Sequence, residues 1–415
     1  MQFEKVIGQK EVKEHLKQMV QQNRLSHALL FLGKEGYGAL PLAIAFAQYI
    51  VCRNTSPNPS KGGADNGTAS LFFDDTSDVE NETAASLSSP VGGWGADSCG
   101  TCPACIKAQK LMHPDIHFSF PVITKKAGEK PLSADYINEF REFISLNPYG
   151  NVYDWLQFIN AENKQGNISA AECNEIIKTL NLKSFESEYK ILIMWMPEFL
   201  GKEGNKLLKL IEEPPANTLF ILVAENEDAI LPTILSRTQL IKIPCLSNLE
   251  VEAALELRAG AKMETAQQIA ALAEGNYREA TQLLQHTESD WLQLLREWLN
   301  ITLKQDFPAQ LKWIDEISKQ GRENQKQFLK YFIHLLELSI RENELGAVSH
   351  SSETELEFAS KLNNFCSIYQ KEAIIDELNK ASYYIERNAN GKILFHALSI
   401  KLYHIIKNNS LILVN

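Results

Sequence analysis

The feature that most constrains the fold is a series of short apolar segments in residues 1–245, which alternate with segments of helical periodicity. The short segments are continuously apolar, and this pattern is typical of strands that helices cover on both faces of a parallel sheet. A helical pattern also precedes the fourth strand, at Asn205–Ile211. We therefore predict an α/β domain with five strands, at Ala28–Leu32, His117–Val122, Ile191–Trp195, Thr218–Ala224 and Gln239–Ile243.

The remainder of the chain has the pattern of helices alone. Pro244 ends the last strand, and residues 246–288 are predicted to form a small helical lid with a turn at Gly275. From residue 289 to 415 we predict an all-α domain, because apolar residues recur at helical spacing over 291–299 and 328–336. Periodicity alone leaves open whether these apolar faces pack against other subunits or bury a core of their own.

Charge is distributed unevenly along the 415 residues. The chain has 52 acidic and 41 basic residues, a formal net charge of −11. Residues 53–98 carry seven acidic residues against Arg53 and Lys61, which gives −5, and they are rich in Ser, Asn, Gly, Asp and Thr. Such a segment buries too little apolar surface to offset its ordering entropy, so we predict a disordered insertion. The acidic balance favours protein partners over nucleic acid as the main contact.

The sequence predicts a cytoplasmic protein without a membrane segment. Its first residues are charged and contain no apolar core of a signal peptide. No apolar run approaches the roughly 18 residues that a membrane-spanning helix needs. In a reducing compartment, clustered cysteines favour a metal site over disulfides.

Four of the seven cysteines form a candidate zinc knuckle. Cys99, Cys102 and Cys105 follow one another at two-residue spacing, and Cys52 lies before the insertion. Four thiolates are the ligand set of a tetrahedral structural zinc site, in which no position remains for water. The intervening insertion adds little closure cost, because that cost grows only logarithmically with loop length. Cys52 as the fourth ligand has a rival in His113, and a set of free cytosolic cysteines is the alternative interpretation.

A phosphate-binding loop is present in shape but not in chemistry. Residues 33–40 read GKEGYGAL, with glycines at Gly33, Gly36 and Gly38. A P-loop has the pattern G-x-x-x-x-G-K-[ST], in which the Lys neutralises phosphate and the hydroxyl holds magnesium. Ala39 occupies the Lys position and Leu40 the hydroxyl position. We therefore expect no functional ATP site.

The end of the third predicted strand supports the same conclusion independently. In nucleotide-hydrolysing folds of this kind, acidic residues at that strand end hold magnesium and orient the attacking water. Trp195 and Met196 occupy these positions here, and Glu198 comes two residues late. The loss of both motifs predicts a chain that does not hydrolyse ATP.

Two longer strings give a resemblance to a known family. Residues 204–215 read GNKLLKLIEEPP and residues 231–237 read LPTILSR; both resemble motifs of the AAA+ subunits of clamp loaders. The opening VIGQ at residues 6–9 is similar to the start of that family. The resemblance extends to about residue 285 and is interrupted by the insertion and by residues 126–165. It implies an AAA+ domain, with a RecA-like parallel sheet and a zinc knuckle, followed by the helical lid and an all-α collar.

The cysteine cluster together with degenerate ATP motifs resembles the delta-prime branch of the bacterial DNA polymerase III clamp-loader subunits. That resemblance implies that Arg237 is an arginine finger, acting on ATP bound by a neighbouring motor subunit. Thr238 replaces the Cys of the family's Ser-Arg-Cys motif, and Arg278 occupies the sensor-2 position. The implied partners are the motor (gamma/tau) and delta subunits in a hetero-pentamer, the sliding clamp, and primed DNA reached through the assembly. The implied cofactor is structural zinc.

Three other interpretations compete with this one. The first is the ATP-hydrolysing motor subunit itself; Ala39, Leu40, Trp195 and Met196 argue against it, and ATP turnover by the isolated chain would favour it. The chain is a zinc-knuckle nucleic-acid binder if the knuckle contacts bases, although the acidic balance and the lack of interleaved basic and aromatic residues disfavour this. Arg237 is an ordinary surface arginine if the motif resemblance carries no role.

Overall fold

The computed structural model describes residues 1–52, 97–125, 130–161, 164, 166–285, 288–345, 353–386 and 389–408. The chain divides into two compact units, Met1–Pro244 and Cys245–Asn415. The boundary falls where the last predicted strand ends. A further division of the second unit into a lid and a collar stays a prediction. The predicted insertion at 53–98 lies outside the described residues, except for Asp97 and Ser98.

The first unit contains a five-stranded parallel sheet in the order β2-β3-β4-β1-β5. β3 and β4 are buried along their whole length, as the continuous apolar runs predicted. The predicted α/β class with a parallel sheet is therefore confirmed. The strands are β1 (Ala28–Leu32), β2 (Ile116–Ser119), β3 (Lys190–Trp195), β4 (Thr218–Ala224) and β5 (Gln239–Lys242).

β2 is shorter than the predicted His117–Val122. The Phe120 amide donates to Ser133 Oγ at 3.0 Å instead of continuing the ladder. Pro121, which follows, has no amide to donate. Periodicity cannot reveal this exit from the sheet, because the residues after Ser119 stay apolar.

Helices cover both faces of this sheet. They are α1 (Lys10–Gln21), α2 (Ala39–Val51), α3 (Pro103–Gln109), α4 (Ile137–Leu146), α5 (Val152–Phe158), α6 (Ala170–Asn181), α7 (Leu208–Glu212) and α8 (Pro232–Leu235). Short 3₁₀ segments occupy Phe3–Lys5, Ser133–Tyr136, Pro197–Leu207 and Glu227–Ala229. The helix predicted at Asn205–Ile211 is therefore split between the third of these segments and α7.

Alternate residues of the strands enter two separate cores. On one face, Phe31 and Ile193 pack with α1 to α5. On the other, Leu30 and Leu192 pack with α6, α7 and α8. Successive side chains of a strand point to opposite faces, so a continuously apolar strand supplies both cores.

The described residues of the second unit are helical, without strands. The helices are α9 (Asn248–Ala259), α10 (Met263–Ala273), α11 (Tyr277–Gln285), α12 (Glu288–Lys304), α13 (Phe307–Lys319), α14 (Arg322–Leu345), α15 (Glu353–Phe365), α16 (Ile368–Glu386) and α17 (Gly391–Asn408). The predicted turn at Gly275 separates α10 from α11. None of the described helices combines the length and the apolar character needed to cross a membrane.

The predicted apolar faces of this unit bury a core of their own. Trp298 stacks on Trp313 with ring centroids 5.1 Å apart, and its indole N–H donates to Ser399 Oγ at 2.9 Å. Phe328 and Phe332 of α14 pack into the same cluster. Of the two interpretations left open by periodicity, a self-contained core is thus present.

Candidate functional site: a closed nucleotide cleft, a cysteine cluster and Arg237

The glycine loop between β1 and α2 retains the backbone of a phosphate-binding loop. The Gly33 amide donates to the Ala224 carbonyl at 3.1 Å, which ties the loop to β4. Gly36 and Gly38 have φ values of +75° and +92°, in the left-handed region that favours glycine. α2 begins directly afterwards, at Ala39. The structure thus brings the predicted loop residues together at the start of a helix.

The space directly in front of this loop is narrow. The cleft is lined by residues 33–41 without Tyr37, by Pro148–Gly150, by Trp195 and Met196, and by residues 223–225; its free volume is about 20 Å³. That volume holds roughly one water, whereas small-molecule sites occupy about 300 Å³ or more. Ala39 and Leu40 are themselves only 8% and 5% exposed. In this conformation the space next to the loop is smaller than a typical small-molecule site.

Tyr149 narrows the cleft at the glycine loop. Its ring lies against the loop, where a Cβ at Gly38 would approach Tyr149 Cε1 to 2.9 Å. Its hydroxyl accepts a hydrogen bond from the Ile7 amide at 2.7 Å. No sequence signal predicts this contact, because Tyr149 lies in the stretch that matches the family weakly and is 142 residues from Ile7.

The residues at the end of β3 belong to the core. Trp195 is 3% exposed and packs with Phe140 and Phe143, with ring centroids 5.9 and 6.1 Å away. The Met196 amide donates to the Val223 carbonyl at 2.8 Å. Neither residue offers an oxygen ligand for magnesium or a base for water.

Glu198 lies two residues beyond the expected acidic positions, and its carboxylate is bound by the backbone just after β4. Its Oε1 accepts from the amides of Glu225 and Asn226 at 2.7 and 2.9 Å. Burial raises the pKa of Glu198 above its ordinary value, although these amides act in the opposite direction. This carboxyl fastens the segment after β3 to the backbone just after β4.

Gln9, from the opening motif, supports the glycine loop. Its Nε2 donates to the carbonyls of Tyr37 at 3.1 Å and Pro244 at 2.7 Å. Gln9 itself adopts a left-handed conformation, with φ of +57°. The motif therefore links the loop to the end of the first unit.

The four predicted cysteines lie together. Their sulfur atoms are all within 4.8 Å of one another. Cys52 Sγ is 3.6 Å from Cys99 Sγ, and Cys99 Sγ is 3.9 Å from Cys105 Sγ. A tetrahedral site with Zn–S bonds of about 2.3 Å requires S–S separations of about 3.8 Å. These distances exclude a disulfide, which needs about 2.05 Å, and they fit a Cys₄ zinc site.

Backbone amides surround the sulfurs in the way that thiolate ligands require. The amides of Cys99, Cys102 and Cys105 approach the sulfurs of Cys52, Cys99 and Cys102 at 3.4 to 3.5 Å. Burial alone would raise the pKa of the Cys99 thiol, but hydrogen bonds from Cys102 and Thr101 outweigh it and lower this pKa to about 6. Such contacts orient metal ligands and stabilise their charged form.

His113, the rival ligand, is separate from the cysteine cluster. Its Nδ1 accepts from the Asp115 amide at 3.2 Å, and its Nε2 lies 3.4 Å from Glu186 Oε1. Lys107 of α3 binds the other oxygen of Glu186 at 2.6 Å. This network attaches the helix of the knuckle to the loop before β3.

Arg237 lies at the surface, just after α8. Its side chain is 33% exposed, and it pairs with Glu212, at the end of α7. Its Nη1 also donates to the Thr233 carbonyl at 2.7 Å. Arg278, the sensor-2 candidate, lies in the second unit and is 4% exposed.

A parallel sheet in this strand order, with a glycine loop between β1 and its following helix, defines an AAA+ domain. The chain belongs to the family described as DNA polymerase III, delta subunit, whose model matches residues 8–67 and 64–247. The resemblance deduced from the Glu-Glu-Pro-Pro and Ser-Arg strings is thereby confirmed.

Curated relatives lie in the same group of proteins. The chain is 24% identical over 233 residues to the DNA polymerase III subunit delta' of Bacillus subtilis, covering 56% of this chain and 46% of the relative. It is 26% identical over 190 residues to the gamma subunit of Buchnera aphidicola, covering 40% and 53%. It is 27% identical over 145 residues to the delta' subunit of Haemophilus influenzae, covering 35% and 32%. The chain thus spans about half, or less, of these relatives' length.

Solved structures with a similar chain path include a DNA polymerase III gamma subunit-related protein from Thermotoga maritima. That match has a TM-score of 0.38 at 12% identity and covers 94% of this chain and 98% of that one. The clamp loader delta protein of Bacillus subtilis matches with a TM-score of 0.30 at 14% identity, covering 94% and 99%.

Proposed function

We propose that this chain is a clamp-loader subunit of the delta-prime type, which hydrolyses no ATP itself and supplies Arg237 to ATP on a neighbouring motor subunit. The observation that carries the proposal is the narrow cleft at the glycine loop. Tyr149 lies against the loop, and Ala39 and Leu40 line the cleft where a P-loop has its Lys and hydroxyl.

Three groups that phosphoryl transfer needs are replaced together. Ala39 stands where a P-loop has the Lys that binds phosphate. Leu40 stands where it has the hydroxyl that binds magnesium. Trp195 and Met196, both buried, stand where the carboxylates at the strand end would be. A nucleotide that displaced Tyr149 would still meet neither a cation nor a metal ligand at these positions.

Arg237 has the properties that an arginine finger requires. It is placed by a short helix at the surface of the first unit, and its guanidinium is partly exposed. A guanidinium delivered across an interface stabilises the charge that develops on the transferred phosphate, an effect worth roughly 10³- to 10⁵-fold in turnover. Replacement of the motif's Cys by Thr238 leaves this charge unchanged.

The remaining features fit a structural subunit. Cys52, Cys99, Cys102 and Cys105 would hold a zinc ion that supports the fold without entering the reaction. Membership of the family supports assembly with motor (gamma/tau) and delta subunits into a hetero-pentamer. This assembly would open the sliding clamp and place it on primed DNA.

The test is ATP turnover by an assembly of this chain with motor and delta subunits, in the presence of clamp and primed DNA. We expect Arg237→Ala to silence the motor site that faces this chain, and Arg24→Ala, at an exposed position, to leave turnover unchanged. Unchanged turnover with Arg237→Ala contradicts the finger assignment.

A second measurement separates this proposal from a motor function. We expect the isolated chain to bind no fluorescent ATP analogue at millimolar concentration and to show no turnover. Measurable turnover by the isolated chain would instead support the motor subunit.

A further inference from the structure

The guanidinium of Arg237 is already occupied by a carboxylate of its own chain. Glu212 Oε1 accepts from Arg237 Nε at 2.5 Å and also from Nη2. On the other side, Nη1 donates to the Thr233 carbonyl at 2.7 Å and to Ser236 Oγ at 3.1 Å. Donors on all three nitrogens are therefore engaged.

This occupation bears directly on phosphate binding. A guanidinium binds phosphate through two parallel N–H donors on one edge of its planar fork. Glu212 takes the Nε–Nη2 edge, and Thr233 and Ser236 take protons of Nη1. A phosphate can receive a two-donor contact only after one of these acceptors has left.

The position of Glu212 makes it the acceptor that releases Arg237. It lies at the C-terminal end of α7, where the unsatisfied carbonyls disfavour a carboxylate. Its side chain is 43% exposed, so water can solvate it after release. The Thr233 carbonyl, by contrast, is fixed within α8.

We propose that Glu212 is a positioning residue whose carboxylate binds Arg237 in place of phosphate. It releases the guanidinium when the neighbour's ATP arrives. This inference rests on the proposed role of Arg237. Exposed ion pairs are weak, so the hold is modest: its loss changes the availability of Arg237 by about two- to five-fold. The pair keeps the guanidinium ordered near the interface at little cost to catalysis.

The pair can be tested first in the isolated chain. The sequence contains ten arginines, so selective ¹⁵N-arginine labelling gives few Nε–H signals, and Arg237→Ala identifies the relevant one. We expect Glu212→Gln to accelerate hydrogen exchange of this Nε–H by about two- to five-fold. Glu213→Gln, which changes the adjacent exposed carboxylate, is the matched control and leaves the exchange rate unchanged. Equal exchange in both variants overturns the inference.

The consequence for catalysis is tested in the assembly. We expect Glu212→Gln to raise kcat/KM for ATP by about two- to five-fold over Glu213→Gln, and the double variant Glu212→Gln/Arg237→Ala to match Arg237→Ala alone. A fall with Glu212→Gln toward the rate of Arg237→Ala would show that Glu212 aligns the finger in the transition state, and would overturn a releasing role.

Failure of this inference is distinguishable from failure of the proposed function. If Arg237→Ala leaves turnover unchanged, the finger assignment is wrong. If Arg237→Ala silences the site but Glu212→Gln behaves as Glu213→Gln does, only the role of Glu212 is wrong.

Discussion

The ring of Tyr149 lies against the backbone at Gly38, so closely that a Cβ on this glycine would be 2.9 Å from Tyr149 Cε1. A side chain from the turn between α4 and α5 thus occupies the place in front of the loop where a phosphate would need to enter. The tyrosine hydroxyl also pairs with the amide of Ile7, in the opening motif. The degenerate loop is consequently part of a packed interior.

We predict that Tyr149→Phe destabilises the first unit by about 1–3 kcal/mol, because it leaves the buried amide of Ile7 without its acceptor. The free energy of unfolding in urea measures this change. Tyr369→Phe, at a residue 79% exposed, is the control and should change stability by less than about 0.5 kcal/mol. Equal effects of the two substitutions would show that the hydroxyl contributes nothing.

The sequence predicted those parts of the fold that depend on local pattern. β1 and β4 have the predicted bounds, since their apolar runs are delimited by polar residues or glycine. The cysteine cluster was predictable because three of its members follow one another at two-residue spacing, a pattern typical of zinc sites. The departure from the P-loop pattern was visible at Ala39 and Leu40 because that pattern is strict.

Contacts between distant segments were not predictable. Tyr149 reaches Ile7 across 142 residues, and no spacing rule connects them. Arg237 likewise pairs with a glutamate 25 residues earlier, through a turn that its motif does not describe. Such pairs depend on how α4, α7 and α8 are placed by the sheet, which is a tertiary property.

We predict that the purified protein contains one zinc ion per chain, as measured by elemental analysis. Cys102→Ser should lose most of this metal and lower the melting temperature, since binding to a site formed only in the folded state adds to folding free energy. Cys245→Ser, at an exposed cysteine outside the cluster, should retain the metal. Full zinc content in Cys102→Ser would exclude this cysteine as a ligand.

We predict a pH-dependent stabilisation by Asp115. Burial acts to raise its pKa, but the amides of Phe185, Glu186 and Ser187 donate to its carboxylate and hold this pKa below the usual value. A depressed folded-state pKa stabilises the fold above the unfolded pKa of about 3.9, and the stabilisation is lost as the pH falls through the folded pKa. Asp115→Asn should therefore cost about 2 kcal/mol or more at pH 7 and progressively less below about pH 4.

Urea unfolding of wild type and Asp115→Asn between pH 3 and pH 7 checks this prediction. Asp228→Asn, at an exposed position, provides the control for a general change of charge. A difference between wild type and Asp115→Asn that stays constant over this range would mean that the ionised carboxylate is not what the three amides stabilise.

Alanine substitutions at two glycines of the second unit distinguish the cost of backbone strain from the cost of steric contact. Gly260 and Gly275 have φ values of +67° and +83°, so an alanine at either is strained by about 1–2 kcal/mol. A Cβ at Gly260 meets nothing within 4 Å, whereas one at Gly275 would lie 2.3 Å from the Leu246 carbonyl oxygen. We predict that Gly260→Ala costs only the strain and that Gly275→Ala costs at least about 2 kcal/mol more, because the backbone at Leu246 must move. Denaturant unfolding of the two variants measures the difference. Equal losses of stability in the two variants would show that the turn between α10 and α11 can shift without a free-energy cost. Its packing against the start of the second unit would then not be required for stability.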